Sequence, residues 1–154
     1  MQPKVIIVWF KRDLRVFDHA PLANAVHDAD FVLPLFVVEP DYWRLPTSSR
    51  RHWCFVHDCL HKLDASLAAL GQRLILRIGE MIDVLDELSR HVQIQAIYAH
   101  EETGDAWTYA RDRKMHAYCQ QAKIPFQESP ANGVVRRLKN RNDWAAIRHQ
   151  RMQA

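Results

Sequence analysis

The chain has 154 residues, 48% hydrophobic and 25% charged, with a formal net charge of +3. That length suits one domain able to bury its own core, and no apolar run reaches the ~18 residues of a membrane span. The start lacks the charged-then-apolar pair of a secretory signal, and Cys54, Cys59 and Cys119 lack the paired spacing of a zinc site, so the expectation is a cytoplasmic protein with reduced, mostly buried thiols.

Taken in chain order, Val5 to Phe10 is an apolar run of a kind buried on both faces, as in a parallel sheet. Lys11-Arg12-Asp13-Leu14-Arg15 follows at once, which puts a charged cluster at a strand's carboxyl end, where open α/β sheets bind ligands. Residues 21–29 suit a short helix with proline early. Residues 31–38 read as a second strand, and Pro34 suggests a bulge or the start of the ladder rather than a central position. Glu39-Pro40-Asp41 ends it.

Residues 47–70 form the clearest helix: Trp53, Val56, Leu60, Leu63, Leu67 and Leu70 make one apolar face, Thr47 or Ser48 can cap its start, and Gly71 can stop it. A strand over 73–78, a helix over 81–92, a strand over 94–99, a helix over 105–123 and a short strand over 124–127 complete the alternation. The expected fold is α/β: a doubly wound, Rossmann-like five-stranded parallel sheet with helices on both faces. Residues 129–142 read as irregular and 143–151 as a last short helix. From Arg136 to Arg151 Asp143 is the one acid; this basic segment can follow phosphates or form a solvated linker.

Three expected strand ends supply the chemistry. The first holds Lys11, Arg12, Asp13 and Arg15; the second Glu39, Asp41, Tyr42 and Trp43; the fourth His100-Glu101-Glu102-Thr103-Gly104. Aromatic walls with a few charged anchors suit a flat heterocycle. With four glycines and no GxGxxG, P-loop or GxSxG, neither a phosphate-cradling loop nor a nucleophile elbow is present. No nucleophile with its base is visible, so catalysis within these residues is not expected. His52, His57 and His61 fall in the long helix, but no carboxylate or cysteine stands at a third metal-ligand position, so they read as surface histidines and no metal is expected.

Trp9-Phe10-Lys11-Arg12-Asp13-Leu14-Arg15-Val16-Phe17-Asp18, with Leu22 close behind, resembles the opening signature of the DNA photolyase and cryptochrome family, W-F-[RKQ]-R/Q-D-L-R-x-x-D-N-x-x-L. Phe36-Val37-Val38-Glu39-Pro40, Ser49-x-Arg51 with the leucine series to Gly71, and Arg111-Asp112 extend the resemblance over most of residues 4–128. It implies an N-terminal antenna domain (1–128) followed by a basic linker or tail (129–154) toward a helical FAD-binding domain outside this chain. The implied function is light harvesting by a second chromophore that passes energy to FAD for repair of pyrimidine dimers in DNA. FAD and the DNA contact then belong to the parent protein, a photo-lyase, and this part alone is not the catalyst. Asp18-His19 stands where the family often has Asp-Asn, and Trp107 and Thr108 stand where its folate-binding branch has Asn and Glu, a departure from that branch; the implied chromophore is a deazaflavin, a flavin or a folate, with an empty site as the further alternative. The expected polar site residues are Arg12, Asp13, Glu39, Arg51, Glu101 and Glu102; Phe10, Phe36, Val37 and Val38 are the expected walls. Two other readings are a stand-alone nucleotide-binding α/β module and a non-catalytic interaction domain. No contact with membrane is expected.

Overall fold

A computed structural model describes residues 2–131, 133–136 and 138–153. Arg137, part of the basic segment, lies outside the described residues. Five strands, β1 (Lys4–Phe10), β2 (Val32–Val38), β3 (Ile75–Ile78), β4 (Gln93–His100) and β5 (Phe126–Ser129), pair in parallel in the order β3-β2-β1-β4-β5. The chain winds to one side of β1 and then returns to wind to the other. The topological switch point therefore falls between β1 and β4, the place where such sheets open a crevice at their carboxyl ends.

The alternation along β1 builds two cores. Val5, Ile7 and Trp9 face α4 (Met81–Ser89) and α5 (Ala106–Ala122), packing with Leu85, Leu88, Met115 and Cys119. Ile6, Val8 and Phe10 face α1 (Ala20–Asp28) and α3 (Arg50–Ala69), packing with Leu22, Ala25, Leu60, Leu63 and Leu67. Each such side chain contributes about 1.5–3 kcal/mol of burial. The near-continuous apolar run of β1 is what a strand covered on both faces requires.

Several boundaries differ from the expectation for physical reasons. Pro34 sits inside the sheet, since β2 has neighbours on both sides. The β3 ladder begins only at Leu35, so the proline nitrogen removes no rung on that side. The cap of α3 is Ser49, whose hydroxyl accepts the His52 N–H at 3.3 Å, rather than Thr47 or Ser48. Gly71 takes φ +91° and closes α3, with Gln72 N–H returning to Leu67 O, while Leu70 ends up exposed rather than on the apolar face. After Glu39, where the sequence marks only the end of a strand, the chain makes a short helix, α2 (Pro40–Trp43); Pro40 at its first position is pre-set for helical φ. The last strand lies at 126–129, two residues later than expected, followed by a 3-10 turn and α6 (Trp144–Met152). Of the three thiols only Cys119 is buried; Cys59 is half-buried and Cys54 exposed. Among the described residues no helix is long and apolar enough to cross a membrane.

Candidate functional site

At the carboxyl ends of β1 and β2 a cavity of about 470 Å3 opens between the sheet, α2, α3 and α5. Its walls are Trp9, Phe10, Phe36, Val37, Tyr42, Trp43, Phe55 and Val56; Arg12, Glu39, Glu102 and Arg111 bring charge. The aromatic side is continuous, because Tyr42 packs on Trp43 at 5.2 Å and on Trp107 at 5.4 Å, and Trp43 packs on Trp53 at 5.0 Å. A flat, largely apolar ring system with a few polar edges fits such a space.

The charged floor is a buried network. Arg111 donates to Glu39 at 2.8 Å, to Glu102 at 2.8 Å and to Asp112 at 2.9 Å, and its guanidinium lies 4.7 Å from the Trp9 ring centre. Lys11 donates to the other oxygen of Asp112 at 2.8 Å and also lies over Trp9. Glu102 is further tied by the N–H groups of Thr103 and Gly104 at 2.9 and 2.8 Å. Burial pushes the Glu39 carboxyl above the usual range, with Arg111 opposing and Asp112 adding to the rise. Burial acts to lower the Arg111 pKa, but Glu39 and Asp112 outweigh it and raise it further. The cavity thus presents a guanidinium beside a buried carboxyl that it holds by a direct ion pair.

Arg12 stands where this cavity meets a smaller one of about 310 Å3, which is also lined by Asp13, His100, Glu101 and Glu102. The Arg12 guanidinium lies over Gly104, in space that a Cβ at that position would fill. Arg15 is spent on its own loop, donating to the carbonyls of Phe17 and Asp18. Asp13 is a structural hub: Oδ1 accepts the Lys11 N–H at 2.9 Å, and Oδ2 lies 2.6 Å from His100 Nδ1 and 2.7 Å from His19 Nε2. Burial alone would raise its pKa, but the side-chain hydrogen bonds from His100 and His19 hold it far below the usual carboxylate range.

The three side chains converge closely enough to suggest a cation, yet the tautomers oppose one. His19 Nδ1 accepts the Leu22 N–H at 3.1 Å as the N-cap of α1, so its lone pair is engaged there and the proton sits on Nε2, facing Asp13. His19 thereby takes the capping role that an Asn side chain performs elsewhere.

Of the expected site residues, Phe10, Arg12, Phe36, Val37, Glu39 and Glu102 surround the larger cavity, and Asp13 and Glu101 lie on the smaller one. Val38 and Arg51 do not meet them. Val38 borders a shallow groove with Pro40, Trp43 and Trp53. Arg51 lies on the exposed side of the first turn of α3. The polar set was incomplete without Lys11, Arg111, Asp112, His19 and His100. A signal for Asp112 exists: Thr108, Asp112, Met115 and Cys119 are all buried at helical spacing, so a carboxylate on that face needs a buried cation.

The chain matches the DNA photolyase family over residues 6–143. It belongs to that family. A cryptochrome DASH of Oryza sativa subsp. japonica, named as chloroplastic/mitochondrial, is 34% identical over 106 residues, covering 64% of this chain and 18% of the rice protein. A deoxyribodipyrimidine photo-lyase of Streptomyces griseus is 43% identical over 76 residues, covering 49% of this chain and 17% of that protein. In structure, a class III photolyase from Agrobacterium tumefaciens superposes with a TM-score of 0.77 at 22% identity, over 92% of this chain and 29% of that one. An archaeal photolyase from Sulfolobus tokodaii gives 0.74 at 25% identity, over 95% and 35%. This photolyase-family chain thus spans under a fifth of these two curated relatives, and the region it matches is an α/β domain.

Proposed function

We propose that this chain is the antenna domain of a photolyase or cryptochrome-like flavoprotein and holds a light-harvesting chromophore in the 470 Å3 cavity. The observation that carries this reading is an aromatic-walled cavity with a buried guanidinium–carboxyl floor at the carboxyl edge of a photolyase-family sheet. The Sulfolobus tokodaii photolyase, described as holding two FAD molecules and implying a novel light-harvesting cofactor, supports a flavin-class ligand. A bound chromophore would absorb light and pass the energy to FAD in the remainder of a longer polypeptide, for repair of pyrimidine dimers in DNA.

The residues of this chain bind and orient. Phe10, Phe36, Val37, Tyr42 and Trp43 flank the ring system and exclude water. Glu39 brings a polar edge to the ring system, and Arg111 ties Glu39 to Glu102 in the loop after β4. Arg12 faces polar substituents that extend toward the smaller cavity, whose wall includes Glu101 and Asp13. Residues 129–154 would lead to the FAD-binding domain and place basic side chains near it.

The test is an absorption and fluorescence titration of the purified chain with a deazaflavin, FMN, a reduced folate or ATP. Saturable binding of one of the pigments, weakened in F36A and E39Q, is expected. Saturable binding of ATP and of no pigment would replace the antenna reading with that of a nucleotide-binding module.

A further inference from the structure

On the solvent face of α3, away from the photolyase-type cavity, His57 and His61 stand one helical turn apart with their Nε2 atoms 3.3 Å from each other. Both imidazoles are exposed. Their ring centres are 4.5 Å apart at 77°, so the rings meet edge-on rather than stacking. Imidazole nitrogens bound to one tetrahedral ion at ~2.0–2.1 Å stand roughly 3.3 Å from each other. The pair therefore already holds the spacing that chelation needs.

The neighbouring charge is suited as well. The Asp58 carboxylate lies 3.6 Å from His57 Nδ1, which adds negative charge beside the pair. Asp64 interacts electrostatically with His61 from the following turn. No third chain ligand stands beside these histidines in the sequence pattern. A closed structural site needs one, whereas an exposed chelating pair completes its coordination with water.

We propose that His57 and His61 form a surface chelate for one borderline divalent transition-metal ion that favours imidazole, of the Zn2+, Cu2+ or Ni2+ class. The ion would bridge a turn of the helix that supplies Phe55, Val56 and Cys59 to the cavity wall, and so stiffen that wall. It would also sit beside Trp53, whose ring centre is 6.2 Å from that of His57.

That proximity makes the site readable. Titration of the full chain with CuSO4 at neutral pH should quench tryptophan fluorescence saturably at one equivalent, while MgSO4 leaves it unchanged. H57Q and H61Q should each weaken binding by on the order of tenfold or more, since one imidazole cannot chelate, and H27Q, at an exposed histidine on α1, should bind as the parent does. W53F should lose most of the quench while equilibrium dialysis still finds one bound ion. ZnSO4 should raise the thermal midpoint of the parent and not of H57Q. All four sites are at least partly exposed, so the variants keep the fold. Unchanged Cu2+ affinity in both H57Q and H61Q, or no saturable binding by the parent, would overturn the proposal.

Discussion

Arg111 is the residue on which the photolyase-type site turns. One guanidinium meets Glu39, Glu102 and Asp112, which come from the end of β2, the loop after β4 and its own helix, and its side chain is 13% exposed. Three carboxylates gathered there repel one another once the cation is gone, and burial denies them water. R111M should therefore cost about 3–5 kcal/mol, read from urea denaturation at neutral pH. R111K should recover only part of that loss, because an ammonium keeps the charge but not the planar fork that reaches two carboxylates at once. A lysine variant as stable as the parent would mean that charge alone, and not fork geometry, organises the floor.

At the scale of elements, the loop from β4 to α5 aligns the site through an absence. Gly104 has an ordinary φ, yet a Cβ there would run into the Arg12 guanidinium and Thr108 Oγ1. Arg12 can swing away, since its side chain is 54% exposed. Thr108 cannot, because it is 2% exposed and its hydroxyl donates to Asp105 O at 3.0 Å. G104A should thus cost about 1–3 kcal/mol by thermal or urea unfolding and displace Arg12 from the junction of the two cavities. Titrating the same variant with FMN separates the two effects: affinity should fall even where the protein remains folded. This glycine had no visible role in the sequence, since its φ is ordinary and the close approach comes from residues 92 positions earlier and four later. The elements themselves were more legible. The continuous apolar run of β1 and the leucine series of α3 announced their buried faces because local spacing alone decides them. Ser49 over Thr47 or Ser48 as the cap, and the short helix α2, depend on the path of a loop that spacing does not describe.

For the molecule as a whole, the strand-end loops showed that charge would gather at one edge of the sheet, but not which groups would pair. Lys11 and Asp112 are 101 residues apart, and Asp13 and His100 are 87 apart. Only the switch between β1 and β4 brings such partners together, so the network follows from topology. Asp13 carries the clearest whole-molecule consequence, because its carboxylate joins the loop after β1, the start of α1 and the end of β4. Its folded-state pKa is depressed, so the folded protein holds this carboxylate ionised where the unfolded chain, near pKa ~3.9, takes up a proton. The stability it supplies is fully present above about pH 4 and falls as the pH drops below that, by about 1.4 kcal/mol per pH unit. Asp64, held at about 2 mainly by Arg73, titrates on the same side and adds to the acid slope of any variant that keeps it. The informative quantity is therefore a difference. D13N should start less stable at pH 6, having lost a charged acceptor for two imidazoles, yet its stability should decline less steeply than the parent's between pH 4 and pH 3. Urea midpoints at pH 6, 5, 4 and 3 for the two proteins measure that slope directly. Parallel curves would show that the Asp13 hub does not set the acid limit of the fold, and would shift that role to the exposed carboxylates.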